Sequence, residues 1–308
     1  MNAKFSNRLG VVALVMFGIE AAATGAQGAA PTVISACPFE ITAPGNYVVA
    51  KDLTSVGTCI SIGTISVSID LQGHTLTGNS TGGGIVAQGG AIPPSGTHIV
   101  ISNGTIQKFG EGILANSVAG PANGAMEIVG MTIQKNGGNG LDLFGGDTVV
   151  DSKIVDNGRD GISIIGEFPS AIVRSTVSGN GADGIAGSSG PVFVIDTVTD
   201  NNVMDGIALA LGGVPEPGNR VVGSRANGNG GNGIDLGNLP GAVIASTAAR
   251  NAGAGIVVTC PSEVAGNKAI NNGSGNLVEI PGSAPCTDVD NTAPRPRRWP
   301  GPTAAEET

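Results

Sequence analysis

Aromatic side chains are scarce in this chain, which has one Trp, one Tyr and seven Phe among 308 residues. A core of large rings is therefore excluded, and a folded interior has to stack small and β-branched side chains. Apolar residues still make up 40% of the chain, which excludes general disorder. Lys and Arg number 15 against 24 Asp and Glu, and this net charge of −9 argues against nucleic acid as a partner.

Long apolar runs are missing after residue 30, so no later segment is expected to cross a membrane. The leader, residues 1–29 approximately, is predicted to be a secretory signal peptide. Lys4 and Arg8 precede the short apolar run Leu9–Ile19, and small residues follow it. A retained membrane anchor is the alternative. The mature protein is therefore expected to be secreted or periplasmic, without a transmembrane segment.

Cysteine is limited to four residues, two near each end of the predicted mature chain: Cys37, Cys59, Cys260 and Cys286. No Cys-x-x-Cys pair occurs, which disfavours a zinc site, and an oxidising compartment favours disulfides. Three pairings are possible. We favour Cys37–Cys59 and Cys260–Cys286, because each bond would then pin one end of the fold.

Glycine is abundant, with 52 residues, and it recurs before an aliphatic residue at intervals of 21–28 residues. The positions are Gly84, Gly112, Gly140, Gly161, Gly184, Gly206, Gly233 and Gly255, and Asn276 continues the series. A unit of fairly constant length with occasional insertions is typical of a solenoid. Each unit contains short alternating apolar segments separated by turns, which indicates short strands.

An asparagine lies four residues before most of these positions. The set is Asn136, Asn157, Asn180, Asn202, Asn229, Asn251 and Asn272. Asparagine tolerates the left-handed backbone of a sharp turn, and its amide can bond to an identical amide one coil away. The pattern therefore predicts an asparagine ladder that runs through the stacked turns.

The segments ITAPGNYVVAKDL and VSIDLQGHTLTG, with the repeats that follow, resemble the right-handed parallel β-helix superfamily, the pectate-lyase-like group. The resemblance covers about residues 41–280. It implies an all-β right-handed parallel β-helix of about nine to ten coils, with three short strands per coil. We divide the chain into the signal peptide, an N-terminal cap and entry coil (30–60), the β-helix (61–287) and a disordered Pro/Arg-rich tail (288–308). The tail's Arg295, Arg297, Arg298 and Trp299 are expected to be solvated, and contact with an anionic envelope surface is the alternative.

One candidate site is a charged row, Asp151, Arg174 and Asp196, whose members lie one coil apart, with Phe144 and Phe168 in the loops leading to those strands. Longer loops in neighbouring units are expected to form walls around these short coils. The row could bind a uronate. In uronate lyase or epimerase chemistry, Arg174 or Lys153 would remove the C5 proton. A stabilising surface ladder of alternating charge is the alternative.

A second candidate is the acidic row Asp160, Asp183 and Asp205, each directly before one of the repeated glycines. The spacing predicts that these carboxylates stack and repel one another. Solvent, turn amides or a bound cation such as Ca²⁺ would relieve the repulsion.

The leading functional interpretation is a secreted protein that binds extracellular polysaccharide or cell-envelope glycan, with uronate lyase or epimerase activity left open. The alternative is a non-catalytic structural or adhesive surface protein. Three features favour the alternative: the scarcity of aromatic platforms, the lack of the paired aspartates of polygalacturonases, and the lack of the Asp-Pro-His-Glu signature of mannuronan epimerases.

Overall fold

The fold consists of short β-strands that stack in parallel. The computed structural model describes residues 30–64, 66–87, 98–115, 125–210 and 218–294, and within them every regular element is a strand. No helix in these ranges is long and apolar enough to cross a membrane. The predicted signal peptide and residues 295–308 lie outside the described residues.

In chain order the strands are β1 (Thr32–Ile34), β2 (Phe39–Ile41), β3 (Gly45–Val49), β4 (Leu53–Thr54), β5 (Ile60–Ile62), β6 (Val67–Asp70), β7 (Thr75–Thr77), β8 (Gly83–Ala87), β9 (His98–Gln107), β10 (Glu111–Ala115), β11 (Ala125–Gln134), β12 (Leu141–Leu143), β13 (Thr148–Val150), β14 (Lys153–Val155), β15 (Ile162–Gly166), β16 (Ser170–Val173), β17 (Thr176–Ser178), β18 (Ile185–Ser189), β19 (Val192–Ile195), β20 (Ile207–Ala210), β21 (Arg220–Val222), β22 (Arg225–Asn227), β23 (Ile234–Asp235), β24 (Ala242–Ile244), β25 (Thr247–Ala249), β26 (Ala254–Thr259), β27 (Glu263–Ala265), β28 (Lys268–Ile270), β29 (Gly275–Ile280) and β30 (Thr287–Val289).

These strands form three sheets, as expected for a coil with three strands. Sheet I has eleven strands in the order β2-β5-β8-β10-β12-β15-β18-β20-β23-β26-β29. Sheet II follows β1-β3-β6-β9-β11-β13-β16-β19-β21-β24-β27-β30 and also includes β4, β7, β14 and β17, and sheet III is β22-β25-β28. The described residues therefore contain eleven turns of a right-handed parallel β-helix. This is close to the nine to ten coils expected, and the segment around β2 supplies the first strand.

The repeated glycine–aliphatic positions stack in register, as the spacing predicts. Ile162 pairs with Leu141 on one side and with Ile185 on the other, and the same column runs from Ile85 to Leu277. Most of these side chains are fully buried and form the core with the inward residues of sheet II. The interior is thus a stack of aliphatic side chains, which explains how the fold forms with so few aromatics.

The asparagine ladder is confirmed. The Nδ2 of Asn157 donates to Oδ1 of Asn180 at 3.1 Å, and the Nδ2 of Asn180 donates to Oδ1 of Asn202 at 3.0 Å. The remaining predicted rungs bond in the same way. A Cβ on Gly161 would lie 2.6 Å from the Asn180 amide nitrogen and 2.3 Å from a Val177 methyl, so glycine is required where the ladder passes the next strand.

A second buried ladder, which the sequence interpretation missed, lies at the turn between β13 and β14 and at its counterparts in the later coils. The backbone N–H of Ser152 donates to Oγ of Ser175 at 3.2 Å, and the N–H of Ser175 donates to Oγ1 of Thr197 at 3.3 Å. Ser224, Ser246, Asn267 and Asn291 continue the ladder. Its hydroxyl and amide oxygens all accept a hydrogen bond from a backbone N–H of the preceding coil. Because Ser, Thr and Asn share this role, no single residue type repeats in the sequence.

The two ends of the solenoid carry the disulfides that the cysteine positions favour. Cys37 bonds to Cys59 and Cys260 to Cys286. The predicted disordered tail was placed too early, because β30 pairs with β27 and Asn291 accepts a hydrogen bond from Asn267. Residues 288–294 therefore continue the last coil, held there by the final rung of the second ladder.

Candidate groove on sheet I

A groove crosses the outer face of sheet I. Four half-buried residues lie next to one another in consecutive strands at its floor, Ser163, Ala186, Ala208 and Asp235. Because two of the four are alanine, the floor is low, and a cavity of about 330 Å³ opens above it. The floor spans three strand spacings, roughly 14 Å along the solenoid axis.

The acidic row forms one wall of this groove, since Asp183 and Asp205 line the cavity. The Oδ1 of Asp160 accepts a hydrogen bond from the N–H of Asp183 at 2.9 Å, and the Oδ1 of Asp183 accepts one from the N–H of Asp205 at 2.7 Å. The Oδ1 of Asp205 accepts in turn from the N–H of Asn232. Turn amides therefore relieve part of the repulsion between the stacked carboxylates.

The surroundings of the groove raise the pKa of two of its carboxyl groups. Burial, followed by the charges of Asp205 and Asp160, raises the pKa of Asp183 to about 6. Burial and the neighbouring Asp235 also raise the pKa of Asp205. No Lys or Arg belongs to the described residues that line the cavity. Asp183 can therefore give up or take up a proton close to neutral pH, and the groove repels anions.

The acidic row does not suit one metal ion held by all three carboxylates. Stacked rungs are ~4.8 Å apart, so Asp160 and Asp205 are separated by about 10 Å. Calcium–oxygen distances of about 2.5 Å allow an ion to contact two adjacent rungs at most. Within the described ranges, no group of three or more His, Cys, Asp or Glu side chains is placed to hold a metal.

The charged row Asp151, Arg174 and Asp196 lies at exposed left-handed turns, with φ of 50°, 47° and 48°. Arg174 donates from Nε to Oδ1 of Asp151 at 2.8 Å and from Nη2 to Oδ2 at 2.9 Å. This pairing raises the pKa of the guanidinium further, and Asp196 adds to the effect. Arg174 therefore stays protonated, which suits anion binding better than proton removal.

Lys153 is exposed two residues after Asp151, at the start of β14. The two phenylalanines lie elsewhere. Phe144 follows β12 and is 39% exposed, and the carbonyl of Phe168 accepts a hydrogen bond from Gly146 at the same corner. That corner precedes β13 and β16, whereas the charged row follows them. The structure thus separates the phenylalanines from Arg174 by the length of a strand.

Comparison with known proteins identifies the fold family. Residues 116–292 match the family model described as "Right handed beta helix region". The chain belongs to this family. No curated protein matches the sequence.

Solved structures with the same architecture include two modules of Azotobacter vinelandii mannuronan C-5 epimerases. The β-helix is similar to the AlgE6 A-module with a TM-score of 0.60 and 11% identity, covering 83% of this chain and 88% of that one. It is similar to the AlgE4 A-module with a TM-score of 0.56 and 14% identity, covering 80% and 78%. A mutant of the periplasmic alginate epimerase AlgG gives a TM-score of 0.50 and 13% identity, covering 82% and 76%. At these identities the likeness shows the fold.

The sequence interpretation missed the floor of the groove in this β-helix. Its residues occupy the second position after each repeated glycine, namely Ser163, Ala186, Ala208 and Asp235. The usable signal was the run of small side chains at that outward position, bounded by acids at Asp142 and Asp235. A low floor of small side chains is what opens a groove on a flat sheet.

Proposed function

We propose that this β-helix is an extracytoplasmic protein that binds polysaccharide along the sheet I groove. The observation that carries the proposal is the groove itself, about 14 Å long, with a small-residue floor and a wall of carboxylates. Carboxylate and hydroxyl oxygens accept hydrogen bonds from sugar hydroxyls, which are donors in every sugar ring. The epimerase names of the similar structures support the same class of ligand. The predicted signal peptide and the two disulfides support an extracytoplasmic location.

The charge of the groove bears on which polysaccharide fits. A polyuronate brings one carboxylate per sugar toward Asp183, Asp205 and Asp235, which would repel it. Neutral sugars are therefore favoured, and a uronate polymer would need mildly acidic pH or a bridging cation such as Ca²⁺. The Asp151–Arg174 pair is the second candidate surface, because it offers the cation that the groove lacks.

Catalysis is a second candidate function, supported by the epimerase names together with the raised pKa of Asp183. A carboxyl group that titrates near neutral pH can take a proton from a sugar carbon or return one. Epimerisation would need a proton returned to the opposite face, and a lyase would instead leave a double bond. The charged row is a separate surface, where Arg174 would act as a cation for the uronate and Lys153 remains the candidate amine base.

The test is a binding panel on the full chain, with a neutral glucan, alginate and polygalacturonate, each with and without Ca²⁺. The proposal predicts retention of at least one polymer, with uronate binding strengthened by Ca²⁺ or by pH below 6. Ultraviolet absorbance detects a lyase product, and the uronate composition of the recovered polymer detects an epimerase. If no polymer binds under any condition, the polysaccharide proposal is contradicted and a structural or adhesive role is favoured.

A further inference from the structure

The groove on sheet I has different surroundings at its two ends. Toward the later coils it continues into a second cavity of about 670 Å³, which shares Asp235 and Gly237 with it. Toward the earlier coils the last strand that lines the groove is β15, through Ser163 and Ile164. Strand β12 lies directly beside β15, so the residues of β12 and of the turn after it border this end of the groove.

An aromatic ring and an aliphatic side chain lie together at this border. Leu143 of β12 pairs with Ile164 of β15, so the next residues, Phe144 and Ile165, lie at the same level. Leu143 and Ile164 point into the core, whereas Phe144 is 39% exposed and Ile165 is 47% exposed. Side chains alternate along a strand, which puts both exposed residues on the outer face that carries the groove.

The exposure of Phe144 is unusual for this protein. The chain has only nine aromatic residues, and among those in the described ranges Phe144 is the most exposed, whereas Tyr47 and Phe109 are buried in the core. Single exposed apolar residues are common on protein surfaces. Here two large ones are adjacent and border a groove, which is typical of a binding surface.

A buried carboxylate fixes the turn that carries Phe144. The Oδ2 of Asp147 accepts hydrogen bonds from the N–H of Phe144 at 3.2 Å and of Gly145 at 3.1 Å, and its Oδ1 accepts from the N–H of Met126 at 2.9 Å. Asp147 is only 4% exposed. A Cβ on Gly166 would collide with the carbonyl of Phe144, so the next coil packs tightly against the same turn. The backbone of Phe144 is therefore ordered before any ligand arrives, which lowers the entropic cost of binding.

Polar groups stand beside the ring at the distance that a sugar requires. Asp142 lies two residues before Phe144 on the same outer face, about 6.6 Å away along the strand, and it pairs with Ser163. Both side chains are half-buried and bear oxygens that accept hydrogen bonds. A hexose ring has C–H groups on its face and hydroxyl groups at its edge. The C–H groups suit the negative face of an aromatic ring, and the hydroxyl groups suit the carboxyl and serine oxygens.

We propose that Phe144 is a sugar-stacking residue that extends the sheet I groove by one strand. A neutral hexose ring lies on Phe144 and Ile165, with its hydroxyl groups directed toward Asp142 and Ser163. The binding surface then covers four strand spacings, roughly 19 Å along the solenoid. A neutral ring is assigned because the carboxylate of Asp142 would repel a uronate. This inference rests on the proposed function of the groove.

The experiment measures the affinity of the full chain for a soluble neutral β-glucan by calorimetry. Phe144→Ala is expected to weaken binding at least about fivefold, because the stacking surface is removed. Phe144→Trp is expected to retain the affinity of the unmodified protein, since it supplies a larger ring. Phe193→Ala is the matched control, because Phe193 is a half-buried phenylalanine on the outer face of sheet II and should leave binding unchanged.

The stacking role is overturned if Phe144→Ala binds the glucan as the unmodified protein does, or if Phe144→Trp binds no better than Phe144→Ala. The groove itself still stands in that case if a bulky residue at its floor, as in Ala208→Tyr, weakens binding. Equal losses in Phe144→Ala and Phe193→Ala overturn the assigned location. An unmodified protein that does not bind the glucan overturns the neutral-sugar subsite, and the polysaccharide proposal falls with it only if alginate and polygalacturonate also fail to bind.

Discussion

At the scale of single residues, Asn180 shows how strongly each coil depends on its neighbours. Its side chain is fully buried, donates to Asn202 and to the carbonyl of Ile154, and accepts from Asn157. Asn180→Ala leaves the N–H and side-chain amide of Asn157 without their acceptor. Because an unsatisfied buried polar group costs about 1–3 kcal/mol, we expect a clear loss in the free energy of unfolding.

Urea unfolding of Asn180→Ala measures this loss, with Asn46→Ala as the control because Asn46 is exposed on β3. Equal midpoints for the two variants would mean that the ladder does not stabilise the coils.

Arg174 separates the two candidate surfaces. Its ion pair with Asp151 is exposed, and exposed pairs contribute about 0–1 kcal/mol, so Arg174→Ala should leave the unfolding midpoint nearly unchanged. With the groove as the glycan site, polysaccharide binding should also be retained. Affinity measured for this variant and for Arg225→Ala, which breaks the exposed pair with Asp200, gives the comparison. Loss of uronate binding in Arg174→Ala alone would move the site to the charged row.

At the scale of structural elements, the acidic row makes stability depend on pH. The pKa of Asp183 is raised to about 6 in the native protein, above the unfolded value near 3.8. The native state therefore holds this proton more tightly, and stability is lost as pH rises from about 4 through 6. Asp183→Asn should increase the unfolding midpoint at pH 7.5 and change it much less at pH 4, because asparagine can still accept from Asp205.

Asn139 already fills the same role in this row, since its side-chain oxygen accepts from the N–H of Asp160 at 3.1 Å. The exposed Asp290→Asn is the control, with no such difference between the two pH values expected. Equal effects of Asp183→Asn at pH 7.5 and pH 4 would contradict the raised pKa.

The elements also show where sequence reasoning succeeds. Positions such as Asn157 and Gly161 repeat the same residue type because each coil has the same steric and hydrogen-bonding requirement. The spacing therefore predicted a solenoid of short strands and the first ladder, and the family resemblance added the right-handed β-helix. Ser175 and Thr197 both accept a hydrogen bond from a backbone N–H of the preceding coil, but they are different residue types, so the spacing did not predict their ladder. Residues 288–294 have the composition of a tail, yet Asn291 holds them on the last coil by accepting hydrogen bonds from Asn267.

The candidate site was less predictable, because a groove depends on which neighbours are small. Ala186 and Ala208 have no polar or reactive group. They form the low floor of the groove only because β18 and β20 lie side by side. Charged residues are easier to notice, but Arg174 and the phenylalanines turned out to lie at opposite ends of the same strands.

At the scale of the whole molecule, one long solenoid offers several faces, and the proposed ligand site lies on one of them. Sheet I has a low floor, a carboxylate wall and two adjoining cavities. Sheet II presents a matched alanine, Ala171, at a half-buried outward position on β16. The same substitution on each sheet therefore changes one face at a time without altering the core.

The assignment of the glycan site to sheet I is tested by polysaccharide binding of Ala208→Tyr compared with Ala171→Tyr. A tyrosine at 208 fills the groove floor, whereas a tyrosine at 171 lies on the other sheet. We expect Ala208→Tyr to lose at least about tenfold in affinity, equivalent to ~1.4 kcal/mol. Ala171→Tyr should bind like the unmodified protein, and both variants should keep its circular dichroism spectrum. Unchanged binding by Ala208→Tyr, or equal losses in both variants, would contradict the assignment of the glycan site to sheet I.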